Sequence, residues 1–122
     1  MNKEQIINKL DNSNLNLNEV IILSGASLVL QGVIDKTNDI DLSCTKKYYD
    51  NIPWPIKDGI FNVPLKYDDV FEISYNLYYP NDIVIIGKYK CLSLEKCLDI
   101  KLQLNRDKDK DAISKLKKLI KR

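Results

Sequence analysis

Two aspartates one residue apart, Asp39-Ile40-Asp41, are the first candidates for chemistry in this sequence. On a strand, residues 39 and 41 point one way while Ile40 and Leu42 point the other, into a core. Neighbouring carboxylates repel each other, and a cation between them relieves the repulsion. Hard oxygen donors suit Mg²⁺ or Mn²⁺. The same pattern also fits a polar strand face with nothing bound. Glu72, in Val70-Phe71-Glu72-Ile73, alternates with Phe71, Ile73 and Tyr75 and shares its side with Val70 and Ser74. It becomes a third carboxylate of the group if its strand lies beside residues 39–42, and otherwise faces solvent.

Three further features concern anions. Ser24-Gly25 follows an apolar run and opens a short helix, Ala26 to Gln31, with Ser24 as its cap and Gly32 as its stop. The free amides of a helix start attract anions, and Gly25 would let a phosphate approach the backbone, with Ser24 and Ser27 adding hydroxyls. A plain strand-to-helix turn has the same appearance. On a helical wheel over residues 94–105, Lys101 falls inside an apolar arc made by Leu94, Cys97, Leu98, Ile100, Leu102 and Leu104. A buried ammonium needs a carboxylate or a ligand phosphate, unless it snorkels to solvent. The run Arg106-Asp107-Lys108-Asp109-Lys110-Asp111 alternates in sign and reads as a solvated helix junction.

Composition removes whole classes of mechanism. The chain has 122 residues and no histidine. Ser-His-Asp and Cys-His catalysis, histidine zinc sites and imidazole bases are therefore excluded. Carboxylates, lysine, hydroxyls, backbone amides or a carboxylate-held metal remain. The three cysteines, Cys44, Cys91 and Cys97, match no zinc spacing and read as reduced, small core residues. Residues 1–100 hold 10 Lys/Arg and 14 Asp/Glu, whereas residues 101–122 hold 9 and 3. The basic end suits phosphates or a solvated helix face. Apolar runs such as Val20-Ile21-Ile22-Leu23 are strand-sized, and the first residues lack a signal-peptide apolar region. The expected location is cytoplasmic, with no membrane partner.

The elements that must position these residues follow from periodicity. Helices are expected over residues 3–10, after Gly25, briefly over 46–50, over 94–105 behind a Ser93 cap, and over 109–121. The last buries Ala112, Ile113, Leu116, Leu119 and Ile120. Strands are expected at 20–23, 40–44, 61–65, 70–75 and 83–86, with a short edge at Tyr89 to Cys91. Pro53-Trp54-Pro55 and Asp58-Gly59 mark a loop. The fold class is α+β, or mixed α/β, in one domain spanning residues 1–122, with helices packed on a central sheet.

Taken in order, Val20 to Gly32 with its Ser24-Gly25, then Thr37-Asn38-Asp39-Ile40-Asp41-Leu42, resembles the nucleotidyltransferase superfamily. It is most similar to the small bacterial branch related to abortive-infection and toxin–antitoxin nucleotidyltransferases. The later stretch, from Leu94 through Lys101 to Arg106-x-Lys108-Asp109, resembles that branch's C-terminal segment. The likeness covers roughly residues 19–113. It departs at Ser24, where the first of two glycines usually stands, at Ala26, and at Gln31, where the branch often has histidine.

The resemblance implies a central mixed sheet with two C-terminal helices. Asp39, Asp41 and Glu72 would be the metal carboxylates, Lys101 an inward lysine, and Ser24, Gly25, Ser27 and Lys108 the nucleotide-binding residues. The implied reaction moves an NMP group from an NTP to an acceptor hydroxyl with Mg²⁺ or Mn²⁺. The acceptor, whether RNA, protein or small molecule, is not specified. Two other roles share the sequence features: a weakly catalytic antitoxin-type or partner-binding module that pairs with a cognate toxin or antitoxin, and a nucleic-acid binder using the basic C-terminal helix; separately, a homodimer is expected because so small a domain offers little surface for an acceptor.

Overall fold

The computed structural model describes residues 1–53, 65–75 and 78–121. In chain order the elements are α1 (Lys3–Asp11), a 3₁₀ turn (Leu17–Glu19), β1 (Val20–Ile22), α2 (Ser24–Leu30), β2 (Ile40–Cys44) and α3 (Lys46–Tyr49). β3 (Leu65–Tyr67), β4 (Phe71–Ser74), β5 (Ile83–Ile86), β6 (Tyr89–Leu92), α4 (Leu94–Leu104) and α5 (Lys110–Ile120) follow. The loop expected around Trp54 and most of the strand expected at 61–65 lie outside the described residues.

The strands form one mixed six-stranded sheet in the order β3-β4-β2-β1-β6-β5. The β2/β4 and β1/β6 pairs are parallel, and the others are antiparallel. The fold is α+β. Tyr89 to Cys91, read from sequence as an edge, is instead an interior strand between β1 and β5. Local periodicity cannot reveal this, because β6 is placed by its parallel pairing with a strand about 70 residues earlier.

Alternation along the strands separates two faces. One carries Val20, Ile22, Ile40, Leu42, Phe71 and Ile73 and is closed by Ile6 and Leu10 of α1 and Ala26, Val29 and Leu30 of α2. Ile6, Ala26, Ile40 and Ile73 are completely buried there. The opposite face carries Ile21, Leu23 and Leu92 and is covered by Cys97 and Leu98 of α4 and Leu116 of α5. This cover is partial. Leu102, Leu104 and Leu119, expected in the core, are 41%, 51% and 59% exposed.

Caps fix the helix ends. Asn2 and Gln5 exchange backbone-to-side-chain bonds of 2.9 Å at the start of α1. Ser93 Oγ accepts from Lys96 N at 3.2 Å at the start of α4, as expected, and Asn105 closes that helix in a left-handed conformation. α2 departs from expectation. Leu23 is its cap, Ser24 is already helical by hydrogen bonding, and no side chain caps it. Among the described residues no helix is long and apolar enough to cross a membrane.

Gly25 is required by a neighbour. A Cβ there would lie 2.4 Å from Thr37 Oγ1 and 3.1 Å from Thr37 Cβ. Gly25→Ala is expected to destabilise the fold by about 1–3 kcal/mol through this overlap. Adding Thr37→Ala should return part of the loss, which a double-mutant cycle of urea midpoints would measure.

Candidate active site

β2 lies between β1 and β4 with Ile40, Leu42 and Cys44 withdrawn into the closed face. Asp41 and Ser43 must then project from the other face. β4 pairs with β2 in parallel register, Asp41 opposite Glu72 and Ser43 opposite Ser74. Directly opposed residues of neighbouring strands share a face, so the two carboxylates stand side by side. The sequence left this open, since Glu72 is 31 residues from Asp41.

These groups look into a cavity of about 250 Å³ between the uncovered sheet face and α4. Its polar lining includes Ser24, Asp41, Glu72, Ser74, Lys101 and Arg106, and its apolar lining includes Leu23, Leu92, Ile100, Leu104 and Tyr79. The volume is slightly below the ~300–1,000 Å³ of a typical small-molecule pocket. A ligand larger than this volume would extend into solvent.

Burial pushes the Asp41 carboxyl up to about 6, with help from the charges of Glu72 and Asp39 and a side-chain hydrogen bond with Glu72, while Arg106 draws it down. A hydrogen bond between two carboxyl groups needs a proton between them; with Asp41 at about 6, that proton is held in mildly acidic solution and mostly lost by pH 7. Two neighbouring carboxylate groups fit a hard divalent cation. Mg²⁺ is commonly held by one or two carboxylates plus water and phosphate oxygens. Among the described residues, no group of three or more Asp, Glu or Cys is arranged to hold a metal ion. The fit is therefore to an open, two-carboxylate anchor.

The cationic wall is built on a buried carboxylate. Lys101, 7% exposed, bonds Asp109 Oδ1 at 2.9 Å, and Arg106 Nε bonds Asp109 Oδ2 at 2.7 Å. Burial works to raise the Asp109 carboxyl, but the bonds from Lys101 and Arg106 outweigh it and hold the group below its usual range. Lys101 thus satisfies the expectation of an inward lysine with a carboxylate partner. Arg106 was missed as a site residue. It follows the end of α4, and its signals in the sequence are its place in the Arg106-x-Lys108-Asp109 run and its spacing three residues before Asp109.

Other expected site residues are placed differently. Asp39 is exposed, one residue ahead of β2, and is not among the residues lining the cavity; it acts on Asp41 through charge. Ser27 is fully buried, donates to the Leu92 carbonyl at 2.8 Å and accepts from Gln31 Nε2 at 2.8 Å, so its hydroxyl is committed to the fold. Gly25 meets Thr37 and does not line the cavity. Lys108 is exposed and also outside the lining. Ser24 lines the cavity at φ +48°, a left-handed conformation that costs a non-glycine residue about 1–2 kcal/mol. The three cysteines are free and buried, and burial pushes Cys44 and Cys91 up to about 12.

Asp109→Ala leaves Lys101 buried without its partner and should cost about 3–5 kcal/mol, whereas the double change Lys101→Met with Asp109→Leu should cost far less, as read by urea unfolding. Asp41 gives a pH signature. Its folded value near 6 lies above the unfolded 3.8. Between these values the native state binds more protons, so stability falls as pH rises. Asp41→Asn should flatten that fall, and its thermal midpoint relative to wild type should climb from pH 4 to pH 7. No family model, no curated protein and no solved structure matches the chain.

Proposed function

We propose that this protein is a metal-dependent nucleotidyltransferase that moves an NMP group from an NTP to a hydroxyl acceptor, the acceptor oxygen bonding the α-phosphorus as the bond to pyrophosphate breaks. One observation carries this reading: Asp41 and Glu72 stand side by side in a cavity whose lining also holds Lys101 and Arg106. A carboxylate pair for a divalent cation and a cationic wall for phosphate oxygens are the two parts that phosphoryl transfer needs. No histidine is required. The left-handed backbone at Ser24 adds support, since that position corresponds to a glycine in the family the sequence resembles.

In this reading Asp41 and Glu72 would hold Mg²⁺ or Mn²⁺, which when bound supplies charge neutralisation to the triphosphate. Arg106, the more exposed of the two cations, contacts phosphate oxygens. Lys101, held by Asp109, contributes fixed positive charge behind it. Ile100, Leu104 and Tyr79 provide apolar contact for the rest of the nucleotide.

The test is calorimetric titration of each NTP with Mg²⁺ into wild type and into Asp41→Asn/Glu72→Gln. Metal-dependent binding in the wild type and at least tenfold weaker binding in the variant is expected, a difference of about 1.4 kcal/mol or more. No binding of any NTP at millimolar concentration to the folded wild type would remove the enzyme reading and leave the partner-binding one.

A further inference from the structure

One edge of the sheet is unusually apolar. β5, Ile83-Val84-Ile85-Ile86, is the last strand in the order and contains no charge and no proline, the usual devices that keep an edge unpaired. Ile85 is 61% exposed, the most exposed of the large apolar residues among those described. The strand is bracketed by opposite charges, Asp82 before it and Lys88 after it.

The hairpin fixes which backbone groups face outward. β5 and β6 are joined by the two-residue turn Gly87-Lys88, with Ile86 opposite Tyr89 and Gly87 at φ +62°. In such a turn the closing pair is hydrogen-bonded. Bonded pairs alternate along an antiparallel ladder, so Val84 and Ile86 bond inward to β6. The N–H and C=O groups of Ile83 and Ile85 then point to the outer edge, which no strand covers among the described residues.

We infer that β5 is the docking edge for a second copy of this chain, the two β5 strands pairing antiparallel about a two-fold axis with Ile85 opposite the partner's Ile85. This register brings outward-facing backbone against outward-facing backbone, Ile83 against the partner's Gly87. It also brings Asp82, just before the strand, towards the partner's Lys88 in the turn just after it, and the reverse. An edge that complements itself in hydrogen bonds, apolar side chains and charge is what an isologous interface requires. Lys88 already meets Asp11 at 3.0 Å, but that pair is solvent-exposed, so the ammonium can turn to a second carboxylate at little cost. Directly opposed residues share a face, so both cavities open on the same side of the joined sheet. The surface is one short strand per copy, at the small end of specific interfaces, and the dimer should be weak, with a Kd on the order of 100 µM.

The native cysteines are buried, so one surface cysteine can report the contact. In the proposed register the two Ile85 Cα atoms lie about 5.5 Å apart, within disulfide range. Ile85→Cys should form a covalent dimer under mild oxidation about tenfold or more faster than Leu119→Cys, an equally exposed control on α5. Sedimentation should show wild type in concentration-dependent dimerisation and Ile85→Lys as a monomer. A wild type that stays monomeric to about 1 mM overturns the inference. So does a dimer that survives Ile85→Lys, or equal cross-linking at positions 85 and 119.

Discussion

The position of β2 is the constraint on which the open face depends. The strand is bonded on both edges, and Ile40, Leu42 and Cys44 are at most 1% exposed on one of its faces. A slip of one residue would drive Asp41 and Ser43 into that apolar layer and expose three core side chains. Burial of an unpaired carboxylate makes such a slip very unfavourable. The register is therefore set by the packed face, while its chemical consequence appears on the other. The Leu23 amide bonds the Asp41 carbonyl at 2.8 Å, tying the start of α2 to the same point and holding Ser24 beside the carboxylate pair.

Charge across the cavity is arranged in opposition. Asp41 and Glu72 stand on the sheet, and Lys101 and Arg106 stand on the helical side. The two cations share Asp109, which keeps each oriented by a bond of 2.9 Å or less. Two carboxylates crowded together and two cations held by a separate anion form a dipolar cleft, suited to a ligand that is itself negative but brings a cation with it.

Much of this was legible where the signal is local. Ile40-Asp41-Leu42 reads as a strand with its carboxylate facing away from the core, and the 3.6-residue period places Lys101 within an apolar arc. The joining of distant residues was not legible. Nothing near Glu72 says that β4 lies next to β2, and nothing near Tyr89 says that β6 lies inside the sheet. The wheel also overreached at Leu102, Leu104 and Leu119, because apolar spacing cannot show where the covered area ends. Ser27 illustrates the converse error. A hydroxyl in the first turn of a helix looks available, but this one bonds a strand carbonyl 65 residues later.

The cavity wall depends on the final helix. Asp109 immediately precedes α5, and Leu116 is that helix's one fully buried side chain among the described residues. If α5 lifts from the sheet, Asp109 leaves with it, and Lys101 and Arg106 lose their common anchor. The orientation of the cationic wall thus depends on the docking of the C-terminal helix as well as on the sheet. A helix at the end of the chain, through the one carboxylate that precedes it, thereby shapes the most highly charged surface of the fold.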